Sequence, residues 1–99
     1  MIGIDLVTVD RFEASGRLPK FLSHFRVDGT TALAAAKTWA CIEAIIKAED
    51  QEFDINRIRI RFPKGRRPEV EDPDQVLRGS YVLSVSHEGS AVIAVAQRT

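Results

Sequence analysis

Residues 2–7 read IGIDLV, in which Ile2, Ile4 and Leu6 alternate with Gly3, Asp5 and Val7. That is the two-residue period of a β-strand with at least one buried face. Asp5 stands in the middle of the run. Aspartate is among the poorest strand residues, and a carboxylate shut away from water is disfavoured unless it is paired or holds a cation. It serves no turn or cap at this position, so Asp5 needs a partner from elsewhere in the chain.

The partner is sought in the longest regular element. From Thr30, a candidate N-cap, to about Ala48 the chain is rich in Ala, Leu, Ile and Lys and lacks Gly and Pro, which predicts a long helix. Three-and-four spacing puts Ala36, Ala40, Glu43 and Lys47 on one stripe and the wholly apolar Ala35, Trp39, Ile42 and Ile46 on another. The alanines beside Glu43 let a strand or a ligand approach closely, so Glu43 is expected to face Asp5 across a narrow gap. Two adjacent carboxylates repel unless a proton or a divalent cation lies between them. Hard oxygen ligands suit Mg²⁺, which completes its shell with water and substrate phosphate. Lys47, one turn on, would then lie beside that phosphate. The competing interpretation is an ordinary Glu43–Lys47 surface pair worth a few tenths of a kcal/mol.

Around these two segments the pattern is α+β: one long helix packed against a mainly antiparallel sheet. Strand 1–9 is followed by short helical turns over Asp10–Gly16 and Pro19–Phe25 and a loop at Val27–Gly29. INRIRIRF (55–62) alternates as a half-exposed strand, and PKGRRP (63–68) turns the chain. A short strand at Glu69–Glu71 and a helical turn at Pro73–Leu77 precede SYVLSVSHEGSAVIAVA (80–96), a hairpin closed near Glu88-Gly89. The arginines at 57, 59 and 61 read as a charged outer face that protects a strand.

With 99 residues the chain is expected to form a single domain over 1–99, small enough that oligomerisation would add usefully to its buried surface. Fourteen basic and fourteen acidic residues cancel, which gives no general argument for nucleic acid or for an anionic membrane. Apolar stretches are interrupted by Asp5, Lys37, Glu43 and Lys47, so none spans a bilayer, and the start lacks a signal-peptide build. A soluble cytoplasmic protein is the expectation. The single cysteine, Cys41, excludes an internal disulfide or a cysteine zinc cluster and reads as a small buried apolar residue.

Three segments, in order, resemble the 4′-phosphopantetheinyl transferases, specifically the short holo-acyl-carrier-protein synthase type. IGIDLVTVDRFE (2–13) is similar to that family's opening Gly-Ile-Asp-Leu-Val with its following Asp-Arg pair. WACIEAIIKA (39–48) resembles the motif in which an aromatic residue precedes a glutamate, with a lysine four residues after it. VLSVSHEGSAVIAV (82–95) is similar to the C-terminal hairpin with its Ser-His pair.

The resemblance implies a 4′-phosphopantetheinyl transferase-like fold and the transfer of the phosphopantetheine arm of coenzyme A to a serine of an apo acyl carrier protein. By it, Asp5 and Glu43 bind Mg²⁺, Lys47 neutralises the pyrophosphate, and Glu43 is the candidate base. Ser86 and His87 approach the coenzyme, and Arg11 meets the acidic recognition helix of the carrier. The short synthases are similar to single units that assemble as trimers with sites at subunit boundaries, so a homotrimer is expected. There are departures. Ile42 stands where the family has a lysine, Thr38 where a basic residue is common, and EDQEF (49–53) where a glycine-rich turn lies along the coenzyme. A Phe-Thr motif expected between Phe25 and Thr30 is absent. Glu49, Asp50 and Glu52 are expected to repel a polyanion. The alternative is a non-catalytic member of the fold that docks a carrier protein or a larger synthase.

Overall fold

The computed structural model describes residues 1–14 and 16–99. Ser15, inside the predicted Asp10–Gly16 turn, lies outside the described residues. The elements run β1 (Ile2–Thr8), α1 (Asp10–Glu13), α2 (Arg17–His24), α3 (Ala32–Glu49), a 3₁₀ turn at Ile55–Arg57, β2 (Arg59–Arg61), β3 (Glu69–Glu71), β4 (Tyr81–Glu88) and β5 (Ala91–Arg98). Antiparallel strands in the order β1-β5-β4 form one sheet, and β2 pairs antiparallel with β3. The α+β class with a long helix on an antiparallel sheet is therefore the observed one.

The helix starts one residue later than the sequence suggests. The Thr31 hydroxyl, rather than that of Thr30, accepts from the Ala34 N–H at 3.0 Å, the usual N-cap geometry. It ends in Asp50, whose left-handed backbone (φ 56°) sends its N–H to Ile46 O. Asp tolerates that conformation better than most non-glycine residues, so a C-cap forms without glycine. The predicted strand 55–62 shrinks to Arg59–Arg61, because the Asp54 carboxylate accepts from Asn56 N–H and winds Ile55–Arg57 into a 3₁₀ turn. No helix forms at Pro73–Leu77. There the Asp72 carboxylate accepts from the N–H groups of Val76 and Leu77, which satisfies them in a loop.

The face of β1 that meets the core is the reverse of what its apolar residues suggest. Gly3 and Val7 are buried, while Ile2, Ile4 and Leu6 are 56–61% exposed. Gly3 decides this. A Cβ there would lie 1.8 Å from Ala44 O and 2.8 Å from Ala48 N, so α3 lies directly on the strand backbone at that point. The register places Gly3, Ala96 and Leu83 in one row beneath the helix, Asp5, Ala94 and Val85 in the next, and Val7, Val92 and His87 in the third. Alanines and Ile42, Ile45 and Leu83 complete this layer, and Phe12, Phe21, Phe25 and Trp39 pack ring against ring at its end. Cys41 is buried among them, and burial pushes its thiol up to about 12 against the lowering pull of the Lys37 charge. Among the described residues no helix is long and apolar enough to cross a membrane.

Candidate functional site

Alternation along β1 puts Asp5 on the same side as Gly3 and Val7, which is the side covered by α3. Its carboxylate is 16% exposed, and its partner is Lys47: Nζ donates to Asp5 Oδ1 at 2.9 Å and to the Ile4 carbonyl at 3.0 Å. The residue of the predicted stripe that meets Asp5 is thus Lys47, which the sequence set beside a substrate phosphate. The close approach at Gly3 explains why. With the helix backbone against the strand, a lysine in its last turn reaches across to a strand carboxylate, which a helix held off by side chains would not allow.

Glu43 lies one helical turn before Lys47 on the same stripe, half-buried. Among the described residues it makes no hydrogen bond or ion pair. His87 shares the helix-facing side of the sheet with Asp5, while Ser86 points to the other side, in the row of Leu6 and Ile93. Ile42 is buried at 3% exposure, so the position at which the resembled family carries a lysine faces the core here. Thr38 is fully buried with its hydroxyl unpartnered.

Asp5 on β1 and Glu43 on α3 are both hard-oxygen donors of the kind Mg²⁺ takes, and of the two only Asp5 has a charged partner among the described residues. Among the described residues no group of three or more His, Cys, Asp or Glu comes together in a way that could hold a metal ion. A cation held there would therefore draw its remaining ligands from water and from an anionic substrate. Two such donors would suit a substrate-completed site and not a closed cage.

A groove of about 810 Å³ opens beside β4, lined by Lys37, Arg66, Arg67 and Ser84 with Phe62 and Pro63. It adjoins Val85, which lies in the cross-strand row of Asp5. Three cations around an open cleft attract phosphates. Sequence reasoning took PKGRRP only as a turn. The available signal was three basic residues between two prolines, a rigid loop with more charge than a turn needs. Around α1 and α2, Arg11, Arg17, Lys20 and His24 surround an aromatic hollow lined by Phe12, Phe21 and Phe25.

Glu49 is not the surface acid that its sequence suggested. It is 1% exposed, accepts from Arg78 N–H at 2.5 Å and from Gln51 Nε2 at 3.0 Å, and receives the Tyr81 hydroxyl. Burial pushes its carboxyl up, but these hydrogen bonds and the nearby Arg98 charge outweigh it and hold the group below the usual range. Tyr81 moves the other way, up to about 12, through burial and then through its bond to the carboxylate. The helical spacing from Ile42 and Ile45 to residue 49 was the sign that this glutamate faces inward.

Comparison with known proteins gives relatives over nearly the full length. The holo-[acyl-carrier-protein] synthase of Mycoplasma mobile is 30% identical over 101 residues, covering 95% of this chain and 84% of the relative. That of Mycoplasmopsis pulmonis is 31% identical over 105 residues, covering 99% and 89%. The crystal structure of the Helicobacter pylori holo-[acyl-carrier-protein] synthase in complex with coenzyme A superposes over 100% of both chains, with a TM-score of 0.81 at 24% identity. No family model matches the chain.

Proposed function

The chain belongs to the holo-acyl-carrier-protein synthases, a family of phosphopantetheinyl transferases, and from that membership we propose that it moves the 4′-phosphopantetheine arm of coenzyme A onto a serine of an apo acyl carrier protein in an Mg²⁺-dependent reaction. The single observation that carries this reading is the strand carboxylate Asp5, held on the helix-covered side of the sheet by Lys47, which itself lies one helical turn after Glu43.

Asp5 and Glu43 would hold the cation, which when bound supplies positive charge to the diphosphate. Lys47, half-exposed, reaches the same diphosphate from the helix. Lys37, Arg66 and Arg67 take the remaining phosphate charge of the coenzyme in the groove beside β4, and His87 orients it from the helix-facing side of the hairpin. Ser86, on the opposite side, serves a coenzyme that reaches round the hairpin at a subunit boundary. In the transfer the serine oxygen bonds to the β-phosphorus, the bond from that phosphorus to the bridging oxygen breaks, and 3′,5′-ADP leaves. Glu43 is the group that takes the serine proton.

Arg11, with Arg17 and Lys20, offers an acidic carrier protein a basic rim around the aromatic hollow. The open face of the sheet supports a homotrimer. Ile2, Ile4, Leu6, Val82 and Ile93 lie exposed there in adjacent rows, an apolar patch of the kind that marks a protein interface. We place the reaction in the cytoplasm, where coenzyme A and carrier proteins meet.

Incubation with Mg²⁺, coenzyme A and a panel of apo carrier proteins, followed by intact mass, tests the reading. A phosphopantetheine adduct on any carrier supports it. No adduct across the panel together with no coenzyme binding would favour the non-catalytic docking module, a reading to which the core-facing Ile42 lends itself.

A further inference from the structure

Lys47 makes two bonds to β1, one to the Asp5 carboxylate and one to the Ile4 carbonyl, at 2.9 and 3.0 Å. An ammonium has three donors, so two of them are committed to the strand. The oxygen it holds, Asp5 Oδ1, belongs to the carboxylate that the proposed function assigns to a divalent cation. A Mg²⁺ ion binds carboxylate oxygen at about 2.1 Å, so it and the ammonium on one small carboxylate would be close like charges. They cannot share it cheaply. The lysine is the mobile party, because its side chain is 52% exposed and that of Asp5 only 16%.

We propose that Lys47 competes with the divalent cation for Asp5, so that a cation entering the site frees the ammonium to meet the diphosphate of the substrate. The inference rests on the metal reading of Asp5 and Glu43. Its consequence is thermodynamic coupling. Displacing Lys47 weakens the cation's binding to the chain alone, and a polyanion that receives the freed ammonium recovers part of the loss. Cation and coenzyme then each strengthen the other's binding by the same factor. Lysine suits this role better than arginine, since a compact ammonium on a flexible stem can exchange one oxygen partner for another, whereas a planar guanidinium would lock onto the carboxylate in two-pronged fashion.

Calorimetric titration of Mg²⁺ into the wild-type chain, Lys47→Met, Lys47→Gln and Asp5→Asn, each alone and with saturating coenzyme A, tests the competition. The two Lys47 variants should bind Mg²⁺ alone about two- to fivefold more tightly than the wild type, the factor expected for removal of one half-exposed charged contact. Coenzyme A should improve Mg²⁺ affinity by a larger factor in the wild type than in either variant. Nuclear magnetic resonance of the lysine ammonium groups should show the Lys47 signal changing on Mg²⁺ saturation in the wild type and not in Asp5→Asn, which separates displacement from a general effect of charge. Mg²⁺ binding that is lost in Asp5→Asn but no tighter in the Lys47 variants would overturn the competition and leave the metal reading standing. Wild-type-like binding in Asp5→Asn, or no Mg²⁺ binding in any form, would overturn both.

Discussion

The Tyr81 hydroxyl donates to the Glu49 carboxylate and so joins the first residue of β4 to the last residue of α3, with Arg78 N–H as a second donor. This pair fixes the end of the helix that carries Glu43 and Lys47 against the strand that carries His87. Glu49 opens the segment EDQEF (49–53), which in sequence stands where the resembled family has a glycine-rich turn. Glu49→Leu leaves the part-buried Tyr81 hydroxyl and Arg78 N–H without their acceptor and should cost about 1–3 kcal/mol of stability in urea denaturation, with Tyr81→Phe costing less.

The same pair predicts two edges of pH stability. The Glu49 carboxyl is lowered in the folded state, so its contribution is present above the ordinary carboxylate value of 4.5 and is lost as pH falls through the lower folded value. The Tyr81 phenol is raised from 10.0 to about 12, so its contribution is complete below 10 and is lost as pH rises towards 12. Tyr81 is the only tyrosine, so ultraviolet absorbance reads its ionisation alone. It should titrate near 12 in the native protein, and at lower pH in a folded Glu49→Gln variant.

Gly3→Ala should destabilise the protein by about 3 kcal/mol, because a methyl group 1.8 Å from Ala44 O forces helix and strand apart. The separation would also draw Lys47 away from Asp5. Coenzyme binding should therefore weaken in this variant under conditions where circular dichroism still reports a folded chain.

Lys47→Ala should weaken binding of coenzyme A by about 1–3 kcal/mol and leave pantetheine, which has no phosphate, nearly unchanged. Equal losses for the two ligands would return Lys47 to a purely structural tie with Asp5. Ala at Asp5 or Glu43 should instead remove the Mg²⁺ dependence of coenzyme binding.

Leu6→Glu places a charge in the exposed apolar face, in the row of Ile93 and Ser86. If the proposed homotrimer forms through this face, light scattering should show the variant as a monomer, with loss of transfer activity if the sites lie at subunit boundaries. A variant that stays trimeric would move the interface to another face.

The sequence by itself determined the α+β class, the long helix, the closing hairpin and the family, because these rest on periodicity, on the absence of Gly and Pro within residues 32–49, and on motifs in a fixed order. It also marked Asp5 as requiring a partner, since the misfit of a carboxylate in a strand is a local fact. Which partner, and which face, only the tertiary structure decided. Alternation in IGIDLV is the same whichever side is buried, and three isoleucine and leucine side chains argue for the wrong one. A single glycine overrides them, because only the absence of a Cβ lets α3 lie on the strand and bring Lys47 within 2.9 Å of Asp5. Glu49 shows the same limit from the other side. A glutamate at a helix end reads as solvated until the fold supplies Tyr81 and Arg78, more than 28 residues on, as donors that make its burial favourable.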